Sequence, residues 1–295
     1  MIFDRTLGIA LSGGGIKAYA QIGVLKRLQE SGITFAGFSG TSMGSIVATL
    51  AAIGLSAEDI QERLLRIEKE IIDRKLLKVS NIQVYPLLTQ YVTGLINPKE
   101  FRSILERELK ELGIKKMADV KLPLTIVAAD LKSGGLVYFT NRPKAYKPSK
   151  FEIIFSDALV IDALQASCSF PMVFENMMYK GTQLVDGGVL MNLPVKPLRQ
   201  MGFDRIFSIS MENIEPFNES KKVTDIARRI IDMTSSDSIR NSIAMSDYNV
   251  NVFDKSIGIF SFGKGLDAIN LGYQEASRLV NDIEEIKIDL KRFKI

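Results

Sequence analysis

The stretch whose reading decides the fold is FSGTSMGSIVATLAAIG, residues 38–54. Inside it, Gly40-Thr41-Ser42-Met43-Gly44 fits the G-x-S-x-G nucleophile elbow, a sharp strand-to-helix turn that presents a serine hydroxyl. The flanks suit that geometry. Residues 33–38 predict a short strand, and the apolar run after the pentapeptide predicts a helix ending near Gly54. The hydroxyl then lies by a helix N-terminus, where free N–H groups favour developing negative charge. Such a serine ordinarily passes its proton to a histidine, yet the chain of 295 residues has no histidine. Either Ser42 or Thr41 merely caps a tight turn, or another group is the base.

Residues 6–11, TLGIAL, predict a buried strand that stops at Ser12-Gly13-Gly14-Gly15. A helix from about 16 to 30 follows, with Gly32 as its stop. Two consecutive strand–loop–helix units predict a largely parallel sheet covered by helices. Further helices are expected over 57–77, from an Asn97 cap and Pro98 to Gly113, and over 157–167, 223–246 and 267–291. Further strands are expected over 122–129, 136–140, 172–179, 184–185, 205–210 and 257–260. No repeat, low-complexity tract or linker interrupts the chain. The expectation is one α/β domain over 1–295, with a motif core of about 6–195 and the remainder packed on it.

Composition narrows the chemistry. Hydrophobic residues at 46% and charged residues at 24% suit a globular domain. A net charge of +4 slightly favours an anionic surface but is no nucleic-acid signature, so no nucleic-acid partner is expected. Cys168 stands alone, which excludes an internal disulfide and suits a reducing compartment. No apolar run reaches the roughly 18 residues of a membrane span, and the N-terminus lacks a signal-peptide pattern. The expected location is the cytoplasm, with any membrane contact peripheral. Without histidine there is neither an imidazole zinc site nor a Ser-His-Asp triad in this chain. No metal site is expected.

Two other motifs could carry chemistry. Gly13-Gly14-Gly15-Ile16-Lys17 exposes several backbone N–H groups in one place, enough to hold a phosphate or an oxyanion. It is not a Walker A loop. Its G-x-G-x-x-G spacing ends in Ala18, which some dinucleotide loops tolerate, so a phosphate- or nucleotide-binding reading stays open beside a plain turn. Asp186-Gly187-Gly188 by itself reads as a hairpin turn. An aspartate within reach of a serine and partly desolvated can also act as general base. With histidine absent, a carboxylate is the leading candidate. Near its reference pKa of about 4 it is a weak base, so it must gain from desolvation or a short hydrogen bond.

These three motifs, in this order, resemble the patatin-like phospholipases. So do AYAQIGVLKRLQESGI (18–33), ALQASCSFPMVF (163–174) and DGGVLMNLPV (186–195), with a weaker echo at LGYQEA (271–276). The resemblance implies a three-layer α/β/α sandwich around a mixed, mostly parallel sheet. It implies a Ser-Asp dyad working without metal or cofactor, in which Ser42 attacks a lipid acyl ester and Asp186 takes its proton. By the same resemblance, the N–H groups of Gly13, Gly14, Gly15 and Ile16 form the oxyanion hole, supported by Lys17, Gly40, Gly44, Gly187 and Gly188. The implied substrate is a phospholipid or lysophospholipid. A non-catalytic lipid-binding or regulatory protein on the same scaffold is the alternative. Lys17 stands where arginine is common, keeping the charge without the bidentate fork, and Ala18 stands where glycine is common.

Three features are peripheral. Residues 79–96 are mostly apolar, uncharged and broken by Pro86 and Gly94. They suit a lid, an acyl-groove wall or a membrane-contacting segment, and equally an irregular buried connection. NRPKAYKPSK (141–150) reads as a solvated basic loop, with anionic headgroup contact as the alternative. Cys168 reads as a small buried residue.

Overall fold

The computed structural model describes residues 7–76, 81–82, 91–92, 98–171, 176–212 and 223–292. The first strand, β1 (Leu7–Leu11), carries no charge and is buried throughout. A short 3₁₀ turn, Gly15–Tyr19, leads into α1 (Ala20–Glu30). Then come β2 (Gly37–Thr41) and α2 (Met43–Ile53), whose end is turned by Gly54 at φ 107°. A reciprocal capping box between Ser56 and Asp59 starts α3 (Ala57–Asp73). A small antiparallel pair, β3 (Asn81–Ile82) and β4 (Tyr91–Val92), precedes α4 (Pro98–Glu111). The chain continues through β5 (Leu124–Asp130), β6 (Gly135–Thr140), β7 (Glu152–Phe155), α5 (Val160–Ser167), β8 (Met177–Tyr179) and β9 (Thr182–Asp186). It closes with α6 (Val195–Gln200), β10 (Arg205–Ser210), α7 (Val223–Ala244), β11 (Tyr248–Asn251), α8 (Gly265–Ser277) and α9 (Val280–Arg292).

The main sheet runs β11-β10-β1-β2-β5-β6-β7, with β9 also on β5 and β8 on β9. Pairing is parallel from β11 through to β5 and again between β6 and β7. It is antiparallel for β5–β6, β5–β9 and β8–β9. Side chains alternate between the faces of a strand, and each face has its own core. Ile9, Leu11, Ile126, Ala128, Phe207 and Ile209 pack with residues of α1 to α5, α8 and α9. Ala10, Val127 and Ile206 face the other way, against Leu198 of α6 and Ile239 of α7. The result is a three-layer α/β/α sandwich around a mixed, mostly parallel sheet.

One strand arranges the site. β6 occupies one edge of β5, and the other edge is shared end to end. β2 runs along it in parallel as far as the pair Thr41–Val127. β9 takes over in the opposite direction, starting at the next position with the pair Ala128–Asp186. The C-terminal ends of β2 and β9 therefore meet head to head, and the residues that leave them lie side by side.

Several expected boundaries shift. The second strand lies at Gly37–Thr41 rather than 33–38, because Ile33 and Phe35 are buried under the turn while the ladder with β1 begins at Gly37. Residues 257–260 are not a strand. They form a turn whose apolar residues face a cavity, and the edge strand is β11. The helix expected over 267–291 is two, α8 and α9, separated by Arg278 and Leu279. The Asn97 cap, residues 172–175, and the 79–96 segment apart from β3 and β4 lie outside the described residues. No described helix is long and apolar enough to cross a membrane.

Candidate active site

Ser42 stands between β2 and α2 at φ 53°, a left-handed conformation that non-glycine residues rarely adopt. Such a conformation costs about 1–3 kcal/mol, and the surroundings must hold it. They do so through hydroxyls. Ser167 Oγ accepts from the Ser42 N–H at 2.8 Å, and Ser45 Oγ donates to the Ser42 carbonyl at 2.6 Å. Glycine is needed on both sides of the turn. A Cβ on Gly40 would lie 2.5 Å from the Gly44 carbonyl oxygen, and one on Gly44 would lie 2.4 Å from the Ser12 carbonyl oxygen. The capping alternative fails: Ser42 makes no side-chain cap, and the Thr41 hydroxyl donates instead to Met191 O at 2.9 Å. The Ser42 hydroxyl is left at the cavity floor.

Asp186 ends β9 opposite that hydroxyl and is 1% exposed. It is not a hairpin turn residue; its Oδ1 accepts from Gly188 N at 2.7 Å and starts a short 3₁₀ turn. Gly187 lies flat on β5, where a Cβ would come within 2.4 Å of Val127 O. Burial pushes the Asp186 carboxyl up to about 6, opposed by the Ser42 hydroxyl and the Gly188 N–H. The Ser42 hydroxyl thus favours the charged form, yet Oδ2 is buried and closes no hydrogen bond of ordinary geometry. Bonds of this kind are commonly loose before a substrate arrives. Cys168 lies beside both. Burial first, then the Asp186 charge, pushes its thiol up, so it stays neutral and unreactive.

The glycine loop is less open than its composition suggests. Gly13 N donates to Asn192, to both Oδ1 (3.0 Å) and the backbone oxygen (3.2 Å). Ile16 N donates to Ile259 O at 2.9 Å. Of the four donors expected for the oxyanion hole, two are therefore committed to holding the loop. Gly14 and Gly15 N–H keep no hydrogen-bond partner among the described residues. Gly13 itself touches the elbow, since a Cβ there would lie 3.0 Å from the Ser42 Cβ. Lys17 lies on the wall of the same cavity.

That cavity is about 380 Å³, within the usual range for a small-molecule site. Ser42, Asp186 and the glycine loop form its floor. One wall is apolar, from Ile46 on α2, Leu64, Ile67 and Ile71 on α3, and Phe101 and Leu105 on α4. The facing wall is the turn that carries Phe253, Ile259, Phe260 and Phe262. Glu68, buried on α3, anchors this turn by accepting from Gly263 N (2.6 Å) and Gly265 N (3.2 Å). The basic loop 141–150 plays no part in the cavity and is more anchored than a solvated loop. Arg142 donates to two backbone carbonyls, and Tyr146 is buried against Thr125, while Lys147 and Lys150 are exposed.

Asn192, Ser167 and Ile259 escape a reading of the sequence alone. Asn192 and Ser167 stand within DGGVLMNLPV and ALQASCSFPMVF, yet no local pattern marks what their side chains bond.

Comparison with known proteins finds the following similarities. The family model described as patatin-like phospholipase matches residues 9–199. An uncharacterised NTE family protein of Mycobacterium tuberculosis is 27% identical over 209 residues, covering 71% of this chain and 50% of its own length. The uncharacterised protein YqhO of Bacillus subtilis is 31% identical over 197 residues, covering 62% of this chain and 64% of its own. Lysophospholipase NTE1 of Yarrowia lipolytica is 26% identical over 215 residues, 73% of this chain but 13% of that protein. The chain spans about half the length of the curated relatives matched first. Among solved structures, VipD from Legionella pneumophila aligns with a TM-score of 0.49 at 14% identity, over 95% of this chain and 67% of that one.

Proposed function

The chain belongs to the patatin-like phospholipase family, and from that premise we propose that it hydrolyses acyl esters of phospholipids or lysophospholipids with Ser42 as nucleophile and Asp186 as general base. The observation that carries this reading is the end-to-end seating of β2 and β9 on β5, which sets the Ser42 hydroxyl against a buried carboxylate at the floor of a cavity with an apolar wall. The apolar wall suits an acyl chain, which gains about 0.8 kcal/mol for each methylene it buries.

Ser42 Oγ attacks the ester carbonyl carbon as its proton passes to Asp186. The carbonyl oxygen gains negative charge, and the free N–H groups of Gly14 and Gly15 stabilise it, each such donor being worth about 3–4 kcal/mol in related sites. The C–O bond to the alcohol then breaks, and Asp186 returns the proton to the departing oxygen. Water attacks the acyl carbon and gives its proton to Asp186; the bond from that carbon to Ser42 Oγ then breaks, Asp186 passes the proton to Oγ, and the fatty acid leaves. A raised pKa makes Asp186 a stronger base than an ordinary carboxylate, and it is still anionic at pH 7.

The test is a panel of acyl esters, from p-nitrophenyl esters to lysophospholipids and phospholipids, with Ser42→Ala as control. Wild type should hydrolyse them and be labelled by a fluorophosphonate at Ser42. Ser42→Ala should lose about 10³-fold or more in turnover and all of the labelling. Equal turnover by both proteins would sink the assignment.

A further inference from the structure

We infer that Ser167 is a positioning residue for this reaction, holding Ser42 in its left-handed backbone conformation through a buried hydroxyl bridge to β5. The inference rests on the proposed Ser42–Asp186 dyad.

The bridge has two bonds. Ser167 Oγ accepts from Ser42 N at 2.8 Å and donates to Val127 O at 2.6 Å. A hydroxyl has one proton to give. Since Val127 O takes it, the lone pairs must face the Ser42 N–H, so the bridge has one polarity only. It stands where the β2–β5 ladder ends, one residue beyond the pair Thr41–Val127. Ser42 has left the strand there, and the hydroxyl fills the space between its N–H and the neighbouring strand. Ser167 is wholly buried, so water cannot easily replace the lost bond.

The same turn reaches the base. Ser169, two residues on, accepts from the Asp186 N–H through its carbonyl at 2.9 Å. The turn that closes α5 thus holds the backbone N–H of both dyad residues, and their spacing depends on it. Cys168 lies between the two contacts, beside Ser42 and Asp186 on the cavity wall. Removing the hydroxyl leaves the serine chemically intact but frees its backbone. Small misplacements of a reacting group of this kind cost up to about 100-fold in rate.

The experiment uses the full chain as wild type, Ser167→Ala and Ser42→Ala, with a soluble p-nitrophenyl ester and a fluorophosphonate probe. Ser167→Ala should lower kcat and the labelling rate by the same factor, about 10- to 100-fold, with KM within about twofold of wild type. A role in stability alone would leave both rates of the folded protein unchanged, and that outcome overturns the inference. So does a fall in kcat with normal labelling. Amide hydrogen exchange in wild type gives an independent reading should Ser167→Ala fail to fold. Protection of the Ser42 amide supports the bridge, and exchange at the rate of an unstructured chain overturns it. Full activity in Ser42→Ala would instead remove the dyad, a failure distinct from that of the bridge.

Discussion

Two turns leave neighbouring strands at the same end of the sheet. The turn after β1 has no side chain over Gly13, Gly14 and Gly15, and offers backbone N–H groups. It is held by partners far along the chain: Gly13 by Asn192, 179 positions on, and Ile16 by Ile259. The turn after β2 offers one side chain. Its backbone is held by hydroxyls of Ser45 and Ser167 and by glycines pressed against carbonyl oxygens. A site made of backbone donors needs open space around it, so distant residues must steady it. A site made of one side chain can be packed solid on every other side. The two turns should therefore differ in what they tolerate.

The strongest test of that contrast is Gly44→Ala. The new Cβ would sit 2.4 Å from Ser12 O and 2.6 Å from Leu11 O, both in backbone that cannot retreat. Loss of about 4 kcal/mol or more is expected, read as insoluble protein or a collapsed urea midpoint. A stable Gly44→Ala would show that the second turn is not packed solid.

Asp186→Asn comes next, with a loss of about 10³-fold in kcat. Its pH behaviour is the sharper reading. An unfolded aspartate titrates near 4, and Asp186 in the fold near 6. Between those values the folded chain holds more protons, so stability falls as pH rises through the window. Activity runs the other way, because the anion is the base: kcat/KM should climb about tenfold per pH unit below 6 and level off above it. Asp186→Asn should lose that slope in stability and melt above wild type at pH 8. Identical melting profiles from pH 4 to 8 would contradict the burial argument.

Gly15→Ala probes the first turn where it is tightest. Gly15 sits at φ 56°, and a Cβ would lie 2.2 Å from Ile259 O. That carbonyl belongs to a turn rather than a strand, so the chain should fold with about 2–3 kcal/mol lost. The displaced donors should cost about 100-fold in kcat. Gly14→Ala should do least. Its tightest contact would be the flexible Met211 side chain, at 3.2 Å, with Lys17 Cβ and Ala18 N at ordinary distances of 3.6 and 3.7 Å, and the N–H is retained. Less than about 1 kcal/mol and a threefold or smaller change in kcat are expected. Equal damage from both substitutions would mean the loop is not steadied at Ile259.

What the sequence makes legible follows the range of the forces involved. The elbow can be read because its glycines and serine answer sterics within five residues. The strand β1 can be read because a continuous apolar run has nowhere to go but the sheet. The meeting of β2 and β9 cannot, since register along a third strand depends on pairs that no local pattern encodes. Residues 257–260 mislead for a related reason: an apolar run that lines a cavity looks like a strand run. The glycine loop shows the same limit. Three glycines announce free N–H groups, but that Gly13 and Ile16 spend theirs on Asn192 and Ile259 is decided by chain that arrives much later.

That lateness bears on when the site first exists. Ser39, Thr41 and Gly13 bond to Pro194, Met191 and Asn192, separations of 155, 150 and 179 positions. Contacts so distant form only after long loops have closed. During synthesis, at roughly 5–20 residues per second, the turn at Ser42 leaves the ribosome on the order of ten seconds before the segment that braces it. A growing chain therefore carries Ser42 without Asp186 and a glycine loop without Asn192. The site is complete only when the short segment after Asp186, and later the turn at Ile259, have docked against strands made long before.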